Sequence, residues 1–359
     1  MTIPALFQPL TIRGVTTRNR IWLSPLCEYS AGLDAVPTDW HFVHLGSVAI
    51  GRAGLVMAEA TAINAVGRIS PHDVGIWSPE QIAAWKRITD FIRSQGSVSG
   101  VQLAHAGRKG STAPGWGADY EGSTDAEHGG WQTVGPNSEA FGSYNAPVAL
   151  TAEGIDDVVR DWVTAARNAL AAGFDLVEIH AAHGYLIHQF LSPLANDRTD
   201  EYGGSLENRA RLLVRVVTEV RAEIGETVPL FVRVSATDWH PEGLQPDEVE
   251  RVAEWVHPAG ADLIDTSSGG IQSGIPIPVG PGYQVALAEG IKRTAEMPVN
   301  AVGLITDPHQ ANDIVASGQA DAVMLGRELM RDPHFALRAS TALGYKLPYW
   351  PEQYERAQP

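Results

Sequence analysis

Eight short runs of apolar residues, each followed by a longer amphipathic stretch, are the feature of this sequence that most limits its fold. The runs are rich in Val, Ile and Leu and occupy residues 20–24, 55–60, 99–103, 176–180, 230–234, 263–267, 299–302 and 322–325. Buried parallel strands give continuous apolar runs, and the helices that connect them give amphipathic stretches. Eight repeats of this unit predict a closed (β/α)8 barrel.

Helical patterns complete the eight units. They cover residues 41–52, 79–95, 154–172, 206–224, 247–257, 284–295, 308–317 and 328–343. Several have an N-cap residue such as Ser78 at the start or a glycine such as Gly318 just past the end. A doubly wound sheet with a second domain would need a Gly-x-Gly-x-x-Gly turn, and none follows any of the first strands. We expect one domain over 1–359, with an N-terminal lead-in segment, an insertion at about 104–150 after the third strand, and a tail at about 347–359.

The charge and cysteine content exclude several classes of protein. With 26 basic and 42 acidic side chains the net charge is −16, which disfavours nucleic acid and anionic membranes as partners. The lone cysteine, Cys27, cannot form an internal disulfide, a four-thiolate zinc site or an iron–sulfur cluster. Residues 1–10 do not show the charged region and long apolar run of an export signal, and no apolar run reaches about 18 residues. We therefore expect a cytoplasmic protein.

The ends of the predicted strands carry a pair of histidines. Active sites of such barrels lie where strands give way to their following loops, and there His180, His183 and Tyr185 occur close together. Two N–H donors can hold a carbonyl oxygen or an anion while a phenol acts as acid. Two histidines three apart can also be zinc ligands, although other strand ends offer few further ligands, or they can be structural. The spacing alone leaves these three interpretations open.

The late strand ends suggest a phosphate site. Gly269–Gly270, Gly303 and Gly326–Arg327 follow the last three strands, where barrels often bind phosphate through backbone N–H groups. Arg327 adds a guanidinium suited to phosphate, although loop glycines are more often simple turn formers. Gln102 could bind the edge of a heterocycle and Arg233 could stabilise negative charge on a reduced ring. These side chains would suit a flavin.

Taken together, several segments resemble the old yellow enzyme family, specifically its thermophilic-like branch of bacterial ene-reductases that includes xenobiotic reductases. The similar segments are residues 6–7, 18–21, 24–30, 59–62, 102–109, 180–186, 196–209 and 325–328. They span nearly the whole chain in the order in which the family has them. The segment 24–30 departs from the family at Glu28, where an apolar or amide residue is more usual, and the tail lacks the family's final aromatic residue.

The resemblance implies a complete set of site residues. The cofactor would be FMN without a metal, and its contacts would come from Ser24, Pro25, Leu26, Cys27, Ala60, Gln102, Arg233, Gly303, Gly326 and Arg327. His180 and His183 would hold the substrate oxygen, and Tyr185 would be the proton donor. Tyr29 would contact the substrate, as would Arg356 from a neighbouring subunit, and Cys27 would tune the flavin.

The implied activity is that of an FMN-dependent ene-reductase. Hydride would pass from NADPH or NADH to N5 of FMN and then to the β-carbon of an α,β-unsaturated carbonyl or nitro compound, with Tyr185 supplying the proton. The substrates would be small activated alkenes, and the protein would be a homodimer or a dimer-based tetramer. The alternatives are another FMN barrel, of the dihydroorotate or dihydrouridine type, and a metal-dependent barrel hydrolase that uses His180 and His183.

Overall fold

The computed structural model describes residues 3–359, which are organised around a closed barrel of eight parallel strands. The strands of the chain are β1 (Leu10–Ile12), β2 (Val15–Thr17), β3 (Ile21–Leu23), β4 (Leu55–Ala62), β5 (Val98–Ala104), β6 (Val134–Gly135), β7 (Val148–Ala149), β8 (Leu176–Ala181), β9 (Leu230–Ser235), β10 (Leu263–Ser267), β11 (Val299–Ala301) and β12 (Ala322–Leu325). The barrel runs β3-β4-β5-β8-β9-β10-β11-β12, and β12 pairs back with β3. The predicted (β/α)8 barrel is confirmed, and each predicted strand falls on one of these eight.

Helices surround the barrel. They are α1 (Asp39–Ile50), α2 (Pro79–Ser94), α3 (Ala152–Ala171), α4 (Leu186–Leu191), α5 (Leu206–Ile224), α6 (Pro246–Ala259), α7 (Val285–Ala295), α8 (Pro308–Ala316), α9 (Arg327–Arg331) and α10 (Phe335–Ala342). The hydroxyl of Ser78 accepts the backbone N–H of Gln81, a cap that contributes about 1 kcal/mol. The prediction of one helix over 328–343 is wrong, because Pro333 separates α9 from α10. Across residues 3–359, no helix combines the length and apolar composition of a membrane span.

The N-terminal end of the barrel is filled by apolar side chains. Trp22 and Phe231 stack there with ring centroids 5.8 Å apart, among buried aliphatic residues from the other strands. The antiparallel hairpin of β1 and β2 covers this layer with Leu10, Ile12 and Val15. The lead-in segment therefore covers the barrel at its N-terminal end.

A polar layer lies across the middle of the barrel. It consists of Gln102, Glu178, Arg233, Asp265 and Asn300, which come from five consecutive strands and are each at most 5% exposed. Strand register brings them together, because Gln102 pairs with Glu178, and Asp265 pairs with both Arg233 and Asn300. Gln102 donates to Glu178, Asn300 donates to Asp265, and Arg233 lies 3.2 Å from Asp265, so the layer is a chain of polar contacts beneath the C-terminal end of the barrel.

The insertion and the tail lie at opposite ends of the barrel. In the insertion after β5, Trp116 packs on Tyr29 with ring centroids 5.1 Å apart, which places this segment over the C-terminal end as predicted. The first half of the tail packs against the barrel. Leu347 is 2% exposed, and the Tyr349 hydroxyl lies 3.3 Å from the Asn19 amide. Arg356, in the second half, is exposed.

Candidate active site

A cavity opens at the C-terminal ends of the barrel strands. All of the residues predicted to contact the cofactor line it, namely Ser24, Pro25, Leu26, Cys27, Ala60, Gln102, Arg233, Gly303, Gly326 and Arg327. His180, His183 and Tyr185 line it as well. Tyr29 and Arg356 are not part of this lining. The eight-strand pattern therefore located the cavity correctly, because residues at successive strand ends meet at one end of a barrel.

The two histidines and the tyrosine form one aromatic wall of the cavity. The His180 ring lies edge-on to His183 and to Tyr185, with centroids 5.1 and 5.0 Å away. The backbone N–H of Ala182 donates to Nδ1 of His180 at 3.2 Å. Nε2 of His183 lies 2.7 Å from the hydroxyl of Ser267. Each imidazole is thus fixed through one nitrogen, and the other nitrogen remains for a ligand.

The side chains of this wall are neutral at physiological pH. Burial, reinforced by the positive charge of Arg233, lowers the pKa of both His180 and His183 well below the usual 6.5. Because Nδ1 of His180 accepts a hydrogen bond, its proton belongs on Nε2. Burial raises the pKa of Tyr185 well above 10, so its hydroxyl keeps its proton. The wall therefore presents neutral donors to whatever oxygen binds beside it.

Two rim loops touch backbone to backbone beside the histidines. A Cβ atom on Gly184 would lie 2.1 Å from the carbonyl oxygen of Gly270, and one on Gly270 would lie 2.7 Å from Cα of His183. Both glycines have positive φ, +74° and +94°. Gly269–Gly270 was predicted to help bind phosphate; Gly270 is not among the residues that line the cavity and packs against the His183–Gly184 peptide. Only glycine permits this contact, which fixes the loop that carries His183.

Lys109 joins the same two loops. Its ammonium group donates to the carbonyl oxygens of His183 at 2.8 Å and Gly270 at 3.1 Å. It also lies 5.1 Å from the centroid of the Tyr185 ring. Burial and the neighbouring Arg108 lower the pKa of Lys109 to about 8. Sequence reasoning included Lys109 in the segment 102–109 but gave it no role, because its partners come from loops distant in the sequence.

A buried acid–imidazole pair supports the peptide between the two catalytic candidates. Nε2 of His188 lies 3.0 Å from Oδ1 of Asp238, and both side chains are fully buried. Nδ1 of His188, on α4, accepts the backbone N–H of Gly184 at 2.8 Å. Asp238 also accepts the hydroxyl of Ser192 at 2.6 Å and the N–H of Leu244 at 2.8 Å. The pair thus holds the main chain between His183 and Tyr185.

Cys27 and Glu28 point in different directions. Burial, with the nearby Asp73 and Glu59 carboxyls, raises the pKa of the Cys27 thiol well above 9, so the side chain stays a thiol. The N–H of Glu28 donates to Oε2 of Glu59 at 3.0 Å, which fixes the peptide after Cys27. The Glu28 carboxylate accepts the indole N–H of Trp40 at 2.9 Å. The unusual acid at position 28 therefore binds helix α1.

The donors around the cavity fit FMN at both ends of the molecule. The amide of Gln102 donates to Glu178 at 2.8 Å, which leaves its carbonyl oxygen for a ring edge. Arg233 donates to the Ser24 hydroxyl at 3.1 Å and supplies a positive charge to the deep part of the cavity. Arg327 is exposed at the start of α9, beside Gly326, where a phosphate would bind. Further lining residues that sequence reasoning missed are Tyr283, Gln284, Leu304, Ile305, Thr306, Glu328 and Arg331.

The metal-site interpretation of the histidine pair lacks ligands. Over residues 3–359, no group of three or more His, Cys, Asp or Glu side chains is arranged to hold a metal ion. A catalytic zinc site uses three protein ligands, and the nearest ring partner of His183 outside the pair is the hydroxyl of Ser267. The donor set therefore favours binding of a carbonyl or an anion.

Comparison with known proteins agrees with this geometry. The pattern of the NADH:flavin oxidoreductase / NADH oxidase family matches residues 5–345. The chain is 46% identical over 353 residues to an NADPH dehydrogenase of Bacillus subtilis (strain 168), covering 98% of each chain. It superposes on an old yellow enzyme homologue from Zymomonas mobilis with a TM-score of 0.79 and 29% identity, covering 99% of this chain and 98% of that one. A 2-naphthoyl-CoA reductase gives a TM-score of 0.84 at 26% identity, and 95% of this chain covers 52% of that longer one.

Proposed function

The chain belongs to the NADH:flavin oxidoreductase / NADH oxidase family, and from that membership we propose that this NAD(P)H-dependent, FMN-containing oxidoreductase is an ene-reductase. Its substrates would be small alkenes activated by a carbonyl or nitro group. The observation that carries the proposal is the single wall formed by His180, His183 and Tyr185, with two imidazoles and a phenol directed at one cavity. Such a wall suits an oxygen that gains negative charge while a carbon beside it gains a proton.

Bound FMN supplies the chemistry of accepting hydride from NADPH or NADH and returning it to the alkene. The residues that would hold it are the lining residues from Ser24 to Cys27, Ala60, Gln102 and Arg233 at the ring, and Gly303, Gly326 and Arg327 at the phosphate. Arg233 would offset negative charge on the ring, and Cys27, as a neutral thiol, would adjust its electronics.

The histidines would orient the substrate and stabilise its oxygen. Because burial keeps both imidazoles neutral, His180 can donate from Nε2 without releasing a proton to the substrate. Neutral donors aimed at a fixed point stabilise charge that develops during the reaction more than they stabilise the neutral ground state. An alkene without a carbonyl or nitro group gives these donors no charge to stabilise, and we expect it to be inert.

Tyr185 would deliver the proton to the α-carbon. Its raised pKa keeps the hydroxyl protonated until a strongly basic carbanion forms beside it. The ammonium group of Lys109, 5.1 Å from the ring, provides a positive charge near the phenolate that remains after transfer. Tyr29, which packs with Cys27 and Tyr185 over the same apolar cluster, would contact the substrate from the side of the insertion.

The proton-donor role is tested by Tyr185→Phe, which keeps the ring and removes the hydroxyl. We expect reoxidation of the reduced enzyme by 2-cyclohexenone to slow by about 10²-fold or more, the usual contribution of a general acid. Reduction of the enzyme by NADPH should change little, since it needs no proton from this residue. Stopped-flow absorbance measures both half-reactions, and Tyr345→Phe, whose ring packs against Phe7, is the control. Equal slowing of both half-reactions would mean that Tyr185 only positions ligands.

The substrate class is tested with the reduced enzyme under anaerobic conditions. 2-Cyclohexenone and a nitroalkene should reoxidise it, whereas cyclohexene should not. If all three compounds fail while an unrelated oxidant succeeds, the protein is a flavin oxidoreductase of another kind. His183→Ala should then leave reaction with that oxidant unaffected.

We further propose that the protein is a homodimer or a dimer-based tetramer in which Arg356 reaches a neighbouring substrate site. The exposed second half of the tail, together with the family resemblance, supports this arrangement. Within one chain Arg356 is outside the lining of the cavity, so any contact with substrate would come from a partner. The single cysteine, Cys27, agrees with a cytoplasmic location, where thiols stay reduced.

A further inference from the structure

The polar layer inside the barrel contains two carboxyls and one positive charge. Glu178 and Asp265 are both 0% exposed, and Arg233 is the guanidinium that they share. A closed layer with one cation and two carboxylates would carry a net negative charge, which is strongly unfavourable where water cannot solvate it. One of the two acids should therefore keep its proton.

The hydrogen bonds indicate which acid is protonated. Nε of Arg233 lies 3.2 Å from Oδ2 of Asp265, close enough for an ion pair although not aligned as a hydrogen bond. Asp265 also accepts the amide of Asn300 at 2.7 Å. Glu178 accepts only the amide of Gln102 on Oε1, and its Oε2 has no partner within residues 3–359. The negative charge is thus supported at Asp265 and not at Glu178.

The surroundings of Glu178 agree with this assignment. Burial, together with the charge of Asp265, raises the pKa of the Glu178 carboxyl to about 8, against the weaker opposing effects of Arg233 and Gln102. The pKa of Asp265 is also raised by burial, but Arg233 and Asn300 oppose that shift. His180, one step nearer the cavity on the same face of β8, is neutral and supplies no compensating charge.

We propose that Glu178 is the neutral acid of this layer and a positioning residue that acts on the bound FMN through Arg233. Because Glu178 carries no charge, Arg233 is paired with a single carboxylate. This inference rests on the FMN site described above, which Arg233 and Gln102 line and beneath which Glu178 and Asp265 lie. Reduction adds negative charge to the ring. Arg233 can attract that charge more strongly when Asp265 alone opposes it.

The proposal is tested by Glu178→Gln, which has nearly the same shape and is neutral at every pH. Below about pH 7 the midpoint potential of the bound flavin should be the same in the variant and in the natural protein. Above pH 8 the natural protein should become harder to reduce than the variant, by up to tenfold in the reduction equilibrium, or about 30 mV for two electrons. Dye-coupled reduction measures the potential without NADPH or alkene. Glu254→Gln, an exposed change on α6, is the control.

A second measurement tests the protonation of Glu178 through folding. A carboxyl whose pKa is raised by folding holds a proton that the unfolded chain has lost, so raising the pH from about 4.5 to 8 favours unfolding. Relative to Glu178→Gln, the natural holoenzyme should lose stability over this interval by about tenfold in the unfolding equilibrium per pH unit. Denaturant titrations in excess FMN at several pH values measure this difference.

Two results would overturn the proposal. One is a Glu178→Gln variant that is easier to reduce than the natural protein by tenfold at pH 6.5, because this would mean that Glu178 is ionised there. The other is an identical pH dependence of stability in both proteins. Neither readout uses an alkene, so a failure here is distinct from a failure of the proposed ene-reductase activity.

Discussion

Replacing Gly184 by alanine should damage the site far more than the small size of the change suggests. The new Cβ atom would lie 2.1 Å from the carbonyl oxygen of Gly270, whereas such atoms normally remain more than 3 Å apart. The two loops must therefore separate by about 1 Å at this point. The displaced peptide lies between His183 and Tyr185, and a misplacement of about 1 Å at reacting groups costs about 10²-fold in rate.

The stability cost has two parts, and a second glycine separates them. Gly184 and Gly318 have nearly the same positive φ, +74° and +80°, which costs alanine about 1–2 kcal/mol in either place. A Cβ on Gly318 meets no atom of residues 3–359 within 4 Å, so Gly318→Ala has no further cost. Gly184→Ala should lose a further 1–3 kcal/mol, roughly the range for overpacking a rigid contact.

Two assays test this reasoning. Denaturant unfolding in excess FMN should rank the natural protein, Gly318→Ala and Gly184→Ala in order of decreasing stability. Stopped-flow reoxidation by 2-cyclohexenone should be slowed about 10²-fold only in Gly184→Ala. If both variants reoxidise at the natural rate, the contact between Gly184 and Gly270 does not position the catalytic wall, and our account of the loop is wrong.

Four further changes have distinct expected outcomes. Burial opposes ionisation of Asp238, but His188 and the other donors to this carboxylate lower its pKa below the usual value. Asp238→Asn should therefore cost about 3 kcal/mol of unfolding free energy at pH 7 and less as the pH falls below 4. An equal cost at pH 7 and below pH 4 would contradict this. Cys27→Ala should shift the flavin midpoint potential while FMN stays bound, and an unchanged potential would make Cys27 a packing residue. Arg356→Ala should raise the KM for alkene without dissociating the oligomer, whereas deletion of 351–359 should weaken both alkene binding and subunit association. Steady-state kinetics and sedimentation measure these two effects separately. A deletion variant that stays fully associated and fully active would refute the role of the tail.

The barrel could be predicted from the sequence because its strands are buried on both faces. Each strand gives an apolar run, and even the bounds of β10 and β12 match the prediction residue for residue. The break between α9 and α10 was not predicted, because the apolar pattern continues on both sides of Pro333. The proline itself was a signal for the end of a helix. The packing of Tyr349 could not be predicted, since it depends on contact with residues about 330 positions away.

The lining of the cavity could be predicted for the same reason as the barrel, because residues at successive strand ends must meet. The residues that support the wall of the cavity could not be predicted. Lys109 binds carbonyl oxygens of distant loops, and His188 pairs with Asp238, which follows a different strand, so no local pattern encodes these partners. The polar layer did leave a signal, because Glu178 and Asp265 interrupt apolar runs at the inward-facing positions. Acidic residues buried in strands are rare enough to require an explanation.

The hairpin of β1 and β2 closes the N-terminal end of the barrel, and this limits how reactants can reach the cavity. Because Leu10, Ile12 and Val15 cover the N-terminal end, the nicotinamide and, under the proposed activity, the alkene would both enter through the opening at the C-terminal end. The two reactants would then occupy the cavity in turn, with the first product leaving before the second reactant enters. The closed N-terminal end of the barrel would thereby favour two alternating half-reactions, in which an excess of either reactant obstructs the other.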